Sequence, residues 1–190
     1  MGKVPTTIWT KPNENNWFYV YHQGTASDPE TDYLALSRSN TVADFTIWND
    51  TAPTTAIWTV GAFSGNNGSE EHISFLFSDV EGFSKNGSYV GNGNADGTFV
   101  YLGFRPAFWL MKSASDATHW VIYDSARETE NPVDLQLLPN ETNAEAASSR
   151  PVDFLSNGVK IRFSSYLNDD GQTYIYLAFA EQPFKFANAR

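Results

Sequence analysis

A chain of 190 residues can bury roughly 70% of its unfolded surface, so a full core needs no covalent staple, and the absence of cysteine removes disulfides, thiolate metal ligands and thiol nucleophiles together. A net charge of −10 and a pI near 4.6 oppose binding to phosphate backbones and anionic bilayers, so neither nucleic acid nor a membrane is an expected partner. No apolar run approaches the roughly 20 residues of a membrane span, and the polar start MGKVPTT lacks the apolar core of a signal peptide, so the chain reads as soluble and unprocessed.

In chain order, Thr7 to Thr10 reads as a short strand, and the turn cluster Lys11 to Asn16 leads into an aromatic strand from Trp17 to Tyr21. A polar loop, His22 to Asp32, precedes renewed β propensity at Tyr33 to Ser37. Phe45 to Trp48 and Ala56 to Val60 are expected as further strands around the loop Asn49 to Thr55. Ile73 to Phe77 alternates with period two, which puts Ile73, Phe75 and Phe77 on one face; Ile175, Leu177 and Phe179 share a face in the same phase. All six are expected to be buried. Helical signals are confined to one turn at Asn143 to Ala147, stopped by Ser148-Ser149-Arg150-Pro151. Short strands with frequent turns predict an all-β protein, an antiparallel β-sandwich of lectin-like or jelly-roll-like form.

The halves read as two copies of one pattern. Ile8-Trp9 answers Phe108-Trp109, Trp17 to Tyr21 answers Trp120 to Tyr123, and Tyr33 to Leu36 answers Asp134 to Leu137. The turn Asn66-Asn67-Gly68 with His72 to Asp79 answers Asp169-Asp170-Gly171 with Tyr174 to Glu181, and Gly82 to Lys85 parallels Pro183-Phe184-Lys185. A first β repeat over 1–86, a Gly/Asn-rich connection over 87–104 and a second repeat over 105–190 follow, expected to form one pseudo-symmetric body. The period is too long for a solenoid of short repeats.

The segment Gly103 to Lys112, Trp120 with Tyr123 to Arg127, the closing strand Tyr174 to Glu181 and the terminal Asn188-Ala189-Arg190 resemble the C-terminal domain of structural proteins from marine bacteriophages. Tyr89 to Tyr101 and Val20 to Gly24 also resemble that group, and the likeness spans nearly the whole chain. The resemblance implies a non-enzymatic virion protein or tail-fibre domain on the exposed surface of the virion, with a lectin-like sandwich and, by analogy of architecture, binding to a host receptor. Its implied partners are a host cell-surface glycan, other virion proteins and further copies of the chain, with a trimer as the candidate symmetry. A purely structural decoration or appendage subunit is the alternative, and a polysaccharide-acting enzyme a distant third.

The residues themselves offer little catalysis. His22, His72 and His119 lack a neighbouring nucleophile in any recognisable motif; there is no nucleophile elbow, zinc helix or phosphate loop, and Glu70-Glu71 reads as a solvated hairpin end. Neither a catalytic residue, a metal nor a cofactor is expected. Asn92-Gly93-Asn94-Ala95-Asp96-Gly97 alternates side-chain oxygens as calcium loops do, but Gly103 stands where the bidentate Glu belongs, so it reads as a turn. The pairs Asp124 with Arg127 and Arg150 with Asp153 read as loop fasteners.

Aromatics carry the remaining signal. Trp9, Trp109, Trp17 and Trp120 recur in both halves and so read as packing, whereas Trp48 and Trp58 do not recur and flank a polar loop. An exposed indole beside amide and carboxylate groups is a surface on which a sugar ring stacks. Trp48, Asn49, Asp50 and Trp58 are therefore the first expected ligand site, with Asn92, Asn94 and Asp96 as the second.

Overall fold

The computed structural model describes residues 2–13, 17–61 and 71–183. The turn at Asn66 to Gly68, Glu70, Phe184-Lys185 and the terminal Asn188 to Arg190, all used in the sequence reading, lie outside them. The described residues form thirteen strands in chain order: β1 (Thr7–Pro12), β2 (Tyr19–His22), β3 (Asp32–Ala35), β4 (Ala43–Asp44), β5 (His72–Phe77), β6 (Ser84–Val90), β7 (Phe99–Tyr101), β8 (Pro106–Ser113), β9 (Val121–Asp124), β10 (Val133–Gln136), β11 (Ala146–Leu155), β12 (Gly158–Ile161) and β13 (Thr173–Ala180). Among the described residues the only helix is a 3-10 turn, Thr46–Trp48, and no helix is long and apolar enough to cross a membrane.

The strands form three antiparallel sheets in the orders β4-β3-β2-β1-β5, β6-β13-β8-β9 and β10-β11-β12-β7. The second sheet is the middle layer. Along β13, Ile175, Leu177 and Phe179 face the first sheet and pack with Trp9, Val20 and Leu34, while Tyr174, Tyr176 and Ala178 face the third and pack with Val152, Phe154 and Val159. A strand buried on both faces must be apolar at successive positions, which is how TYIYLAFA reads. Trp109 of β8 stacks on Tyr176 with ring centroids 4.6 Å apart, and Tyr89 stacks on Tyr174 at 5.1 Å. Burial of each large apolar side chain contributes about 1.5 to 3 kcal/mol, and both faces of this sheet collect it. Reciprocal bonds between Ile122 and Leu137, at 2.9 and 3.1 Å, join the second and third sheets along one edge.

Among the described residues the edges β5, β6 and β7 line one flank, and β4 is the other edge of the first sheet. Phe77 of β5 meets Phe179 at 6.0 Å, Asp79 holds Asn86 of β6, and Lys85 of β6 reaches the Tyr101 carbonyl of β7 at 2.7 Å. Residues 87–104 are thus no mere connection: they hold most of β6 and all of β7, edge strands of two different sheets.

Strand order is alike in the two halves, β5-β1-β2-β3 and β13-β8-β9, with β10 beyond β9 across the Ile122–Leu137 bridge. The register differs from the sequence pairing by one residue. Ile8 lies opposite Tyr21 as Trp109 lies opposite Tyr123, so Trp9 and Trp109 point into different core clusters.

Four expectations are corrected. Ile73 and Phe75 are 57% and 46% exposed, because β5 is an edge strand whose inner face meets the middle sheet only near Phe77. Phe77 and Phe179 are half-buried, and only Ile175 and Leu177 are fully so. Phe45 to Trp48 is a 3-10 turn instead of a strand, and Ala56 to Val60 is irregular. The expected helical turn at Asn143 to Ala147 is absent, and β11 starts at Ala146, where pairing of Ala146 and Ala147 with Gln136 and Leu135 overrides alanine's helical preference.

His22 joins the first sheet to the second. Gly24 donates its backbone N–H to Nδ1 at 3.0 Å, so the ring proton sits on Nε2 and is donated to the Tyr176 carbonyl at 3.0 Å. Burial drives the His22 pKa down to about 4, against the smaller upward pull of the Tyr176 bond and of Asp79. Between about pH 6.5 and pH 4 the unfolded chain therefore takes up a proton that the folded chain refuses. Stability should be undiminished by this group above pH 6.5 and fall by about 3 kcal/mol as the pH drops to 4. In His22→Gln the thermal midpoint should be lower at pH 7.5 but decline less between pH 7.5 and 4.5 than in the wild type; equal declines would show that His22 does not couple folding to protons.

Candidate ligand-binding site

Trp48 is 2% exposed. Its indole donates Nε1–H to the Asp32 carbonyl at 2.8 Å and meets Tyr21 and Trp58 edge-on, at 5.8 and 6.3 Å. The ring expected to stack on a sugar is therefore the plug of a third core cluster, packed on the outer face of the first sheet with Ile8, Tyr19, Tyr21 and Ile47, and Trp58 is half-buried against it. Asn49 and Asp50 are exposed, and both adopt left-handed backbone, with φ of 52° and 46°. Asn and Asp tolerate that region better than other side-chain-bearing residues, so their presence here is explained by the chain reversal that ends the 3-10 turn.

Asn92, Asn94 and Asp96 are exposed but engaged. Asn92 Oδ1 accepts from the Asn94 N–H at 3.1 Å and Asn94 Oδ1 from the Asp96 N–H at 2.9 Å, while the buried Asn168 amide donates to Asn92 Oδ1 and the Asn94 carbonyl. Lys160 Nζ lies 2.9 Å from Asp96 Oδ1 and donates to the Gly97 carbonyl at 2.5 Å, and it holds the Asp96 carboxyl below the usual range. Arg162 reaches the same carboxylate at 3.4 Å. The oxygens that resembled a calcium loop thus close on a lysine ammonium and on their own backbone. The loop lies at the far end of β7 from Tyr101.

The charged pairs divide. Arg127 binds Asp124 at 2.5 Å and Glu145 at 2.8 Å, fastening a loop as expected. Arg150 and Asp153 do not pair: Asp153 binds Arg162 at 2.6 Å, and Arg150 lies over the Tyr166 ring at 4.2 Å. Three residues apart on β11, their side chains leave opposite faces of the strand. His22 is buried with both ring nitrogens bonded, and His119 Nδ1 faces Asn140 at 2.8 Å and Glu141 at 3.2 Å.

The flank of free edges holds what the sequence reading missed, an open cleft of about 620 Å³. One wall is the turn between β5 and β6, where Val80 and Ser84 bond reciprocally, at 3.0 and 2.9 Å, and Gly82 supplies the φ of +68° that so tight a reversal needs. Glu81 stands exposed on this turn. The other wall is Tyr101 to Phe104, in which Leu102 and Gly103 both donate to the Asn157 carbonyl, at 2.9 and 3.1 Å, and Gly103 takes a φ of +84°. Lys85 spans the walls, with its ammonium on the Tyr101 carbonyl and 5.3 Å from the centre of the Tyr101 ring. That ring is 60% exposed at the cleft mouth. Asp79 lines the floor side and is held through Oδ1, which accepts from the Asn86 N–H at 2.8 Å and the Asn86 amide at 3.1 Å.

A sequence family described as a domain of unknown function, DUF7483, matches residues 1–183. The chain belongs to this family. No curated protein and no solved structure matches it. The DUF7483 chain therefore brings together, in one cleft, an exposed aromatic ring, two carboxylates and a lysine; Trp48 and Trp58 lie in a separate core. The missed signal was faint: Tyr101 ends a run in which Val100 turns inward and Phe99 and Tyr101 outward, a period-two pattern that leaves two aromatics on the solvent side. Trp48→Ala should cost about 3 to 5 kcal/mol in chemical denaturation, whereas Asn49→Gly should stay within about 0.5 kcal/mol of the wild type. A Trp48→Ala protein of unchanged stability would contradict the core assignment.

Proposed function

We propose that this chain is a non-enzymatic binding module of a phage virion appendage, and that the Tyr101 cleft engages a carbohydrate of the host surface. The observation that carries the binding reading is Tyr101 itself, a large aromatic 60% exposed at the mouth of a cleft lined by carboxylates. An aromatic face takes the apolar side of a sugar ring while Asp79 and Glu81 are placed to meet hydroxyl groups. The virion assignment rests on the resemblance of Gly103 to Lys112, Trp120 with Tyr123 to Arg127, and Tyr174 to Glu181 to marine phage structural proteins. The like strand orders of the two halves support a duplicated unit. One ring and a few wet hydrogen bonds leave little free energy after ordering costs, so useful affinity would come from several sites on one assembly. Tyr101→Ala should abolish glycan-array binding and shift the thermal midpoint by no more than a few degrees, because the ring is not core. A wild-type signal that survives Tyr101→Ala would move the site elsewhere.

A structural subunit is the second reading, favoured by β5. This edge strand, HISFLF, contains no acidic residue, lysine, arginine or proline, and exposes Ile73, Phe75 and Leu76. Edges of that kind are ordinarily protected or covered, and cover by another copy, in a trimer or otherwise, or by a second virion protein would supply it. Light scattering of the wild type should show an oligomer that Phe75→Lys converts to monomer; monomer alone at high protein concentration would remove this reading.

A further inference from the structure

We infer that the Tyr101 cleft sorts its sugars by charge, taking uncharged saccharides, preferring those with a free amine and rejecting uronates and sulfated sugars; this rests on the reading of the cleft as a carbohydrate site. Three charged side chains line it, Asp79, Glu81 and Lys85. The single cation among them is outnumbered and partly engaged, since Lys85 Nζ donates one N–H to the Tyr101 carbonyl at 2.7 Å and lies over the Tyr101 ring. The cations bordering the cleft are engaged as well. Lys3 Nζ donates to the Asp79 carbonyl at 2.9 Å, and Arg105, next to Phe104, donates to the Phe154 carbonyl and pairs with Glu181 at 3.2 Å.

The carboxylates differ in this respect. Asp79 Oδ1 accepts from Asn86 and, at 3.4 Å, from Thr6, yet Oδ2 takes no hydrogen bond among the described residues, and Glu81 forms neither ion pair nor hydrogen bond there. An acidic sugar seated on Tyr101 would meet two carboxylates against the single Lys85 ammonium, which already gives one N–H to the Tyr101 carbonyl. The chain's net charge of −10 adds to that repulsion before contact. A neutral ring would offer hydroxyl donors to the same oxygens at no such cost. An amine would gain a charged partner and could lie over the exposed Tyr101 ring. The site is open to solvent, so each carboxylate should change affinity by about fivefold or less, and added salt should erode the difference.

The test is an array carrying neutral hexosides, free-amine hexosamines and uronate or sulfated sugars at equal density, probed with the full chain. Signals should be confined to the first two classes, strongest for the amines. In Glu81→Gln the amine and neutral signals should draw together, and in Tyr101→Ala both should vanish while the thermal midpoint holds. Binding of uronates as strong as that of neutral sugars would overturn the charge sorting and leave the carbohydrate reading standing. Amine binding that persists in Tyr101→Ala would mark it as nonspecific attraction to an acidic surface and would also overturn the inference. Silence from every class would remove the carbohydrate reading and this inference together.

Discussion

The structure depends on the burial of its middle sheet from both sides. β13 lies between β6 and β8, so its backbone is paired along both edges, and its side chains alternate between two cores. In such a strand neither face can be polar without a partner, since an unpaired buried polar group costs about 1 to 3 kcal/mol. Two polar side chains that cross between layers are bonded: His22 to the Tyr176 carbonyl, and the Trp120 indole to the Ala35 carbonyl at 2.9 Å. These contacts fix how the first sheet sits on the second, and apolar packing alone would specify that less closely.

The same arrangement explains where function has room. The second and third sheets are joined through Ile122 and Leu137 on one side, which leaves β5, β6 and β7 as open edges on the other. The cleft opens between the turn that enters β6 and the segment that leaves β7, and a single lysine holds the two walls in relation. Exposed aromatics are tolerated here because the strands that bear them have their other face in the core: Val100, between Phe99 and Tyr101, is 5% exposed. A binding surface can therefore vary on the outside of β7 without disturbing the packing inside it.

The strands with the strongest alternation were legible, and so was the lack of α-helix among the described residues, because period-two patterning and β-branched or aromatic content are local properties. The candidate site was not. Trp48 lacks a counterpart in the second half, but an unmatched aromatic can equally be a plug for an unmatched core, and the third cluster is that core. Asn49 and Asp50 looked like ligand groups, although their backbone conformation accounts for them. The role of Tyr101 was not legible, since nothing local distinguishes an outward aromatic on an edge strand from an inward one on a central strand.

The sequence alone determined an all-β chain without thiols, strongly acidic, with Ile73, Phe75 and Phe77 of one strand in the same phase as Ile175, Leu177 and Phe179 of another. Only the tertiary structure decided what that phase meant. Ile175 and Leu177 are buried because their strand lies in the middle of the middle sheet; Ile73 and Phe75, alike in pattern, are exposed because theirs lies on the edge of an outer one. Burial depends on what lies across the sheet, and that neighbour is set by contacts between residues about a hundred positions apart, of which a local pattern carries no record.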